Sequence, residues 1–381
     1  MDAARTMTAQ AVDMGGKPSV ISAIVKYHCT ERGRMVINDA MDVHGGKGIC
    51  LGPDNYLGRM YQQTPIGITV EGANILTRSL IIFGQGAVRS HPYVLKEIHA
   101  AHDQNSKRAV REFDEALFGH ISFSLSNAVR SLVYGLTGGR IIGVPTEQPT
   151  KRYYQALTRY SAAFAFAADV SMLVLGGGLK RKEKLSARLG DVLSQMYLCS
   201  AVLKRFEDDG RPDDDLPLLH WGMQDGLYRI QVAFDGVLQN FPNRFAALLL
   251  RAMIFPLGQC RKPPSDHLGH QVAALLLKPG PVRERLTAGM FVPRDENDAV
   301  GALEAALAST LACEPLQAEL EKAVKEGKLK AREELQQIAE ARELGIIDAE
   351  QALQLERDYA LRRKVIMVDD FAPEQLRAYQ G

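Results

Sequence analysis

The sequence predicts an all-α protein, and three observations carry that expectation. No stretch of its 381 residues sustains the period-two alternation of a half-buried strand. Apolar residues instead recur every three or four positions, as from Phe113 through Leu117, Ile121, Leu125 and Val129 to Leu132. Helix punctuation sits where such runs should end. Gly15-Gly16, Gly45-Gly46, Gly138-Gly139, Gly176-Gly177-Gly178 and Gly345 are stops, and Asp348 with Gln351 is a capping box.

In chain order, Asp2 to Met14 reads as a helix with Ala3, Met7, Ala11 and Met14 at helical spacing. No cap precedes it, so the chain is expected to begin inside a fold. Pro18 and Ser19 start a second helix to about His44, with Ile21, Val25, His28, Val36, Ala40 and Val43 inward. Leu51 to Thr64 is a polar connection with turn chemistry at Gly52-Pro53-Asp54-Asn55. A helix over Ala73–Phe83 follows, running on to about Val88, and His91-Pro92 closes the segment.

The long amphipathic helix over Ala109–Tyr134 stops at Gly138-Gly139, and Pro145 to Pro149 is a linker. Tyr153 to Leu175 approaches the length of a membrane span, yet Asp169 sits near its centre among small residues, which points to a buried helix. Lys180, Arg181, Lys182 and Lys184 suggest a phosphate or lipid headgroup less than a solvated helix start before Leu185–Phe206. Asp208 to Asp215 is an acidic loop. Two helices, Tyr228–Leu238 and Phe245–Phe255, are parted by Asn240-Phe241-Pro242-Asn243, and Arg261 to Pro264 is a linker. Leu316 to Leu344 and a partner ending near Val368 form a final helical hairpin.

The length allows two or three domains, and 46% hydrophobic with 24% charged residues is ordinary for a soluble globular chain. A net charge of +1 offers no bulk attraction to nucleic acid. Five scattered cysteines without a C-x-x-C fit reduced cytosolic thiols, and the N-terminal segment has no signal-peptide core. His28 and His44 are lone helix-face histidines, more often packed or capping than ligands, and His267 with His270 has no third ligand, so no metal is expected.

Two stretches carry candidate chemistry. Glu71 is the lone charge between Ile66 and Arg78. It reads either as an acid in the first turn of a helix or as a general base tuned by burial. The turn His44-Gly45-Gly46-Lys47-Gly48 lacks the dinucleotide fingerprint and is no P-loop, since Gly48 rather than Ser or Thr follows Lys47. Close backbone approach to a flat or anionic group, or a plain helix stop, remains.

Together these stretches resemble the acyl-CoA dehydrogenases. Glu71-Gly72 with Arg78 seven residues after the Glu matches the family's E-G-x-x-x-x-x-R segment. Asp42-Val43-His44-Gly45-Gly46-Lys47-Gly48 matches its glycine turn, which approaches the FAD of the neighbouring subunit. Three positions depart from the pattern. Asp42 stands where Gln is common, Ala73 where many members have Thr, and Val70 where some have Tyr. Residues 1–92 resemble the last part of the dehydrogenase helical bundle, and residues 93–381 the helical extension of the large bacterial enzyme of fatty-acid β-oxidation.

The resemblance implies oxidation of medium or long acyl-CoA to trans-2-enoyl-CoA with FAD as cofactor. It makes Glu71 the catalytic base and assigns Gly45, Gly46, Gly48, Gly72 and Arg78 to cofactor binding. It also implies an electron-transferring flavoprotein or similar acceptor as partner, and a homo-oligomer when intact. The location implied is cytoplasmic, with the intact protein peripheral to the inner membrane. The family's N-terminal helical domain and β-domain have no counterpart here, so the chain is expected to be a fragment, inactive alone. A catalytically inactive helical module docking on a dehydrogenase partner is the competing expectation.

Overall fold

The computed structural model describes residues 1–377, and among them every regular element is helical. Helix α1 (Asp2–Asp13) ends before Gly15, whose φ of +84° favours glycine. It buries Ala4 and Thr8, while Met14 at its C-cap is exposed. The reason is polar: Thr8 Oγ1 hydrogen-bonds the Tyr197 hydroxyl at 2.7 Å. Helix α2 (Ser19–His44) buries Ile24 and His28 in its first half, whereas Val36 and Val43, expected inward, are exposed.

After one turn, α3 (Gly46–Ile49), helix α4 (Gly58–Thr69) begins inside the expected connection. Asn55 makes that start, its Oδ1 accepting the N–H groups of Leu57 and Gly58 at 3.0 and 2.8 Å. Helix α5 (Asn74–Leu76) then runs on as a π-helix over Thr77–Gln85 and as α6 (Gly86–Ser90). The wider turn replaces the plain α-helix expected over Ala73–Phe83. Such π stretches concentrate at functional sites.

Next come α7 (Val94–Ala101), α8 (Ser106–Leu136), α9 (Lys151–Leu175), α10 (Glu183–Asp208), α11 (Leu216–Asn240) and α12 (Arg244–Ile254). Helix α11 begins twelve residues before the expected Tyr228, with Pro217 in its first turn. The chain ends through α13 (Asp266–Leu277), α14 (Pro281–Thr287), α15 (Ala299–Lys325), α16 (Glu334–Glu343), α17 (Ala349–Ile366) and α18 (Pro373–Arg377).

By packing, the chain forms two compact units, residues 1–31 with 68–275, and residues 32–67 with 276 onward. This division differs from the division by resemblance at residues 92 and 93. In the first unit α9, α10, α11 and the π-helix enclose Phe83, Tyr160, Leu189, Leu203, Met223, Ile230 and Phe234. Helices α10 and α11 approach closely at Gly226, where any side chain would run into Cys199 Sγ. By length and composition alone, Lys151–Arg181 and Ala299–Lys325 are long and apolar enough to cross a membrane. Yet α9 buries Gln155, Arg159 and Asp169, each with a partner: Gln155 Nε2 donates to Ile142 O at 3.0 Å and Arg159 Nη2 to Ile254 O at 3.1 Å. That is how the interior of a folded protein holds polar groups.

In the second unit α15, α16 and α17 bury Cys313, Leu320, Ala323, Ile338, Ala341 and Leu355. The single helix expected over Leu316–Leu344 is broken. Gly327 takes φ +71°, and the Glu340 carboxylate accepts the N–H groups of Lys330 and Ala331 at 2.9 Å each. The expected capping box is present, with Asp348 Oδ1 accepting Gln351 N–H at 2.8 Å and Gln351 Oε1 accepting Asp348 N–H at 2.9 Å.

Helix α8 departs most from expectation. The face predicted to point inward carries Ile121, Leu125 and Val129, all exposed. The buried positions are Ala116, Asn127, Ser131 and Gly135. Small residues there admit close neighbours: Ser131 Oγ donates to Met253 O at 3.0 Å, and a side chain at 135 would strike Pro256.

Candidate functional site

Glu71 follows the end of α4 and takes φ +51°, with Gly72 next at +90°. A non-glycine residue in the left-handed region costs about 1–2 kcal/mol and persists only where its surroundings fix it. Here they do. Lys26 Nζ donates to Gly72 O at 2.8 Å and to Asn74 Oδ1 at 2.6 Å. The buried Asn74 amide donates in turn to Thr30 Oγ1 at 2.9 Å and Glu31 Oε1 at 2.8 Å, and Thr77 Oγ1 donates to Gly72 O at 3.2 Å. Two turns of α2 therefore clamp the far side of the turn and leave the Glu71 side chain outward.

Two stability outcomes follow from that clamp. Asn74→Ala should cost about 2 kcal/mol, because it removes a buried amide and orphans its donors and acceptors. Urea denaturation followed by circular dichroism measures it, and a loss under about 0.5 kcal/mol would show the clamp to be incidental. Glu71→Gly should be about 1 kcal/mol more stable than Glu71→Ala, because only glycine relaxes at this φ. Equal stabilities would mean that the backbone at 71 is unstrained.

The chain itself does not bury Glu71: it is exposed, as are Val70, Ile75 and Leu76 beside it. The desolvation expected from its apolar run is not supplied by these residues. Arg78 lies on the π-helix and makes a two-pronged pair with Asp191 of α10, Nε to Oδ1 at 2.8 Å and Nη2 to Oδ2 at 2.5 Å. The hydrogen bond to Asp191 raises the guanidinium above its usual range, with burial opposing. The residue expected to serve the cofactor thus has a carboxylate partner on this chain.

The glycine turn belongs to the other unit. Gly45, with φ +54°, stops α2 and has open space where a side chain would stand. Gly46 backs onto Val368 and Gly48 onto Met41. Lys47 is buried and donates from Nζ to Met367 O at 3.1 Å, so its charge is turned inward. Asn55 organises the loop, its Nδ2 donating to the carbonyls of Lys47, Gly48 and Cys50 at 2.8–3.0 Å. His44 is held by Ala40 O at 2.7 Å and by the Tyr56 hydroxyl, whose pKa is raised by burial.

One cluster has no forerunner in the sequence reading. His91, His120 and Asp169 bring their ligand atoms within 4.8 Å of one another. His91 Nε2 lies 2.9 Å from Asp169 Oδ1, Ser124 Oγ donates to Asp169 Oδ2 at 2.6 Å, and His120 Nδ1 meets Glu97 Oε1 at 2.8 Å. The distances suit a metal, but the tautomer does not. His91 Nδ1 accepts the N–H groups of Tyr93 and Val94 at 3.2 Å, so the ring proton sits on Nε2 and points at Asp169. A nitrogen carrying that proton has no lone pair for a metal. The cluster fastens α7, α8 and α9 together.

Comparison with known families covers both halves of the chain. Residues 1–83 match the family described as acyl-CoA dehydrogenase, C-terminal domain. Residues 88–371 match acyl-CoA dehydrogenase, C-terminal, bacterial type. The chain belongs to the acyl-CoA dehydrogenase family. No solved structure gave a match. Glu71, Gly72, Arg78 and the glycine turn all fall in the first matched segment of this acyl-CoA dehydrogenase chain, while the His91 cluster and Asp191 fall in the bacterial-type segment. The Arg78–Asp191 pair therefore ties one matched segment to the other.

Proposed function

We propose that Glu71 is the catalytic base of an FAD-dependent acyl-CoA dehydrogenase of fatty-acid β-oxidation. The enzyme would convert medium or long acyl-CoA to trans-2-enoyl-CoA. The observation that carries this reading is the carboxylate held outward on a strained, clamped turn, in the sequence setting where the family keeps its base. Its role is to take the α-proton of the thioester. A weakly acidic C–H demands a base in a water-free setting, and because Glu71, Val70, Ile75 and Leu76 are all exposed on this chain, bound substrate and the rest of the assembly would have to exclude the water. FAD, when bound, supplies the hydride acceptor for the β-carbon.

On this reading Gly45, Gly46 and Gly48 present backbone to the FAD of a neighbouring subunit, Gly72 serves cofactor binding, and Arg78 acts through its pair with Asp191 rather than as a free cation. The described residues contain no strand, so the β-domain wall of a family flavin site would come from elsewhere in the intact assembly. The same reading proposes an electron-transferring flavoprotein or similar acceptor, a homo-oligomer, and a cytoplasmic enzyme peripheral to the inner membrane. Exposure of Glu71 favours, as second reading, a catalytically inactive helical module that docks on a dehydrogenase partner.

The visible spectrum separates them. The purified chain is mixed with FAD, and with FAD plus the N-terminal and β-domains of a bacterial acyl-CoA dehydrogenase. A flavin band in the second mixture that stays with the chain through gel filtration supports the enzyme. No retained flavin in either mixture favours the docking module.

A further inference from the structure

The non-helical residues 255–265 join α12 to α13, and they are bonded to α11 rather than free. Gln231 makes a two-way bridge, its Nε2 donating to Arg261 O at 3.1 Å and its Oε1 accepting the Arg261 N–H at 2.8 Å. Gln259 Nε2 donates to Asp235 Oδ1 at 2.7 Å. Pinned in this way, Arg261 carries its side chain inward and buries its Nε.

No carboxylate meets that cation. Arg261 takes part in no ion pair among the described residues, and its Nε has no hydrogen-bond partner. The nearby acids of α11 are taken, Asp225 by Arg229 at 2.7 Å and Asp235 by Arg251 at 3.2 Å. Arg159 of α9, 4% exposed, gives its Nη2 to the neutral Ile254 O and forms no ion pair either. Beside it Tyr160, 1% exposed, stacks on Phe234 of α11 with ring centroids 6.1 Å apart, one turn past Gln231. The Tyr160 hydroxyl has no hydrogen-bond partner. Burial pushes its pKa up, and the neighbouring guanidiniums of Arg261 and Arg159 oppose that shift.

A buried cation without a counter-charge is strongly disfavoured, and a buried donor needs an acceptor. The Arg261 Nε–H, the Tyr160 O–H and the uncompensated charge are all met by one kind of group. An oxyanion accepts both hydrogen bonds and supplies the charge, and the guanidinium fork fits two of its oxygens at once. Two turns earlier on α9, Tyr153 joins His220 Nδ1 at 2.7 Å, and burial lowers the imidazole pKa, so this pair is neutral and does not compete for the anion. We infer that Arg261, Tyr160 and Arg159 form a binding site for a small oxyanion, a carboxylate or phosphate group, which holds residues 255–265 onto α9 and α11. The inference is independent of the role proposed for Glu71.

The test uses the full chain in sodium chloride, acetate and phosphate at matched ionic strength and pH. Thermal unfolding followed by circular dichroism should show acetate, phosphate or both raising the midpoint saturably above that in chloride. The rise should reach about 4 °C at a concentration a hundred times Kd. Acetate acting alone identifies a carboxylate site, and phosphate acting alone a phosphate site. Arg261→Met should abolish the rise, and Tyr160→Phe should weaken ion binding about tenfold through the lost hydrogen bond. Because Arg261→Met removes an unpaired buried charge, its midpoint in chloride should equal or exceed that of the parent. No rise specific to an oxyanion, or a rise undiminished in either variant, would overturn the inference. So would an Arg261→Met midpoint lowered equally in all three salts, the mark of a purely structural arginine.

Discussion

Glu71→Gln is expected to lower acyl-CoA oxidation by the assembled enzyme about a thousand-fold while its flavin content stays unchanged. Gln keeps the size of the side chain and the left-handed backbone, so it removes only the capacity to take a proton. Steady-state turnover with an artificial electron acceptor gives the first quantity, and the visible spectrum gives the second. Activity within tenfold of the parent would move the base to another residue. Loss of flavin along with activity would make Glu71 a structural element of the turn. Glu71→Gly provides the complement, a variant no less stable than Glu71→Ala and equally inactive.

The second large effect is structural. Asp169→Ala is expected to destabilise the unit around α9 by about 3 kcal/mol, because His91 Nε2–H and Ser124 O–H lose a shared buried acceptor. Asp169 is only 7% exposed, so water has little access to the site that remains. Asp169→Asn keeps one oxygen as acceptor and should cost less than half as much. Urea midpoints of the two variants measure the difference. An Asp169→Ala loss below about 0.5 kcal/mol would mean that the cluster adds nothing to helix packing.

Local signals were legible in the sequence and distant ones were not. The Asp348–Gln351 box, the Gly345 stop and the buried α9 all follow from chemistry within a few residues. Periodicity located α8 but not which face the fold would cover, because the packing surface there is made of Asn127, Ser131 and Gly135 rather than of its large apolar residues. The π-helix at Thr77–Gln85 leaves no compositional mark, since it needs a register change and no special residue.

The candidate site divides in the same way. Glu71-Gly72 and the glycine turn stand out by spacing. The groups that hold them do not: Lys26 and Asn74 are 48 residues apart, and Arg78 and Asp191 are 113 apart. Asn55 was read as turn chemistry, yet its five hydrogen bonds are to backbone groups, which no side-chain pattern reveals. His91 looked like punctuation before Pro92. Only the fold brings it to Asp169.

The most direct test of Glu71 as the base of an acyl-CoA dehydrogenase is anaerobic titration of the assembled flavoprotein with a saturated acyl-CoA. The visible flavin band should bleach in proportion to acyl-CoA added, with 2-enoyl thioester appearing in equal amount, and neither change should occur in Glu71→Gln. A parent band that stays unbleached, or a Glu71→Gln band that bleaches as readily as the parent, would contradict it.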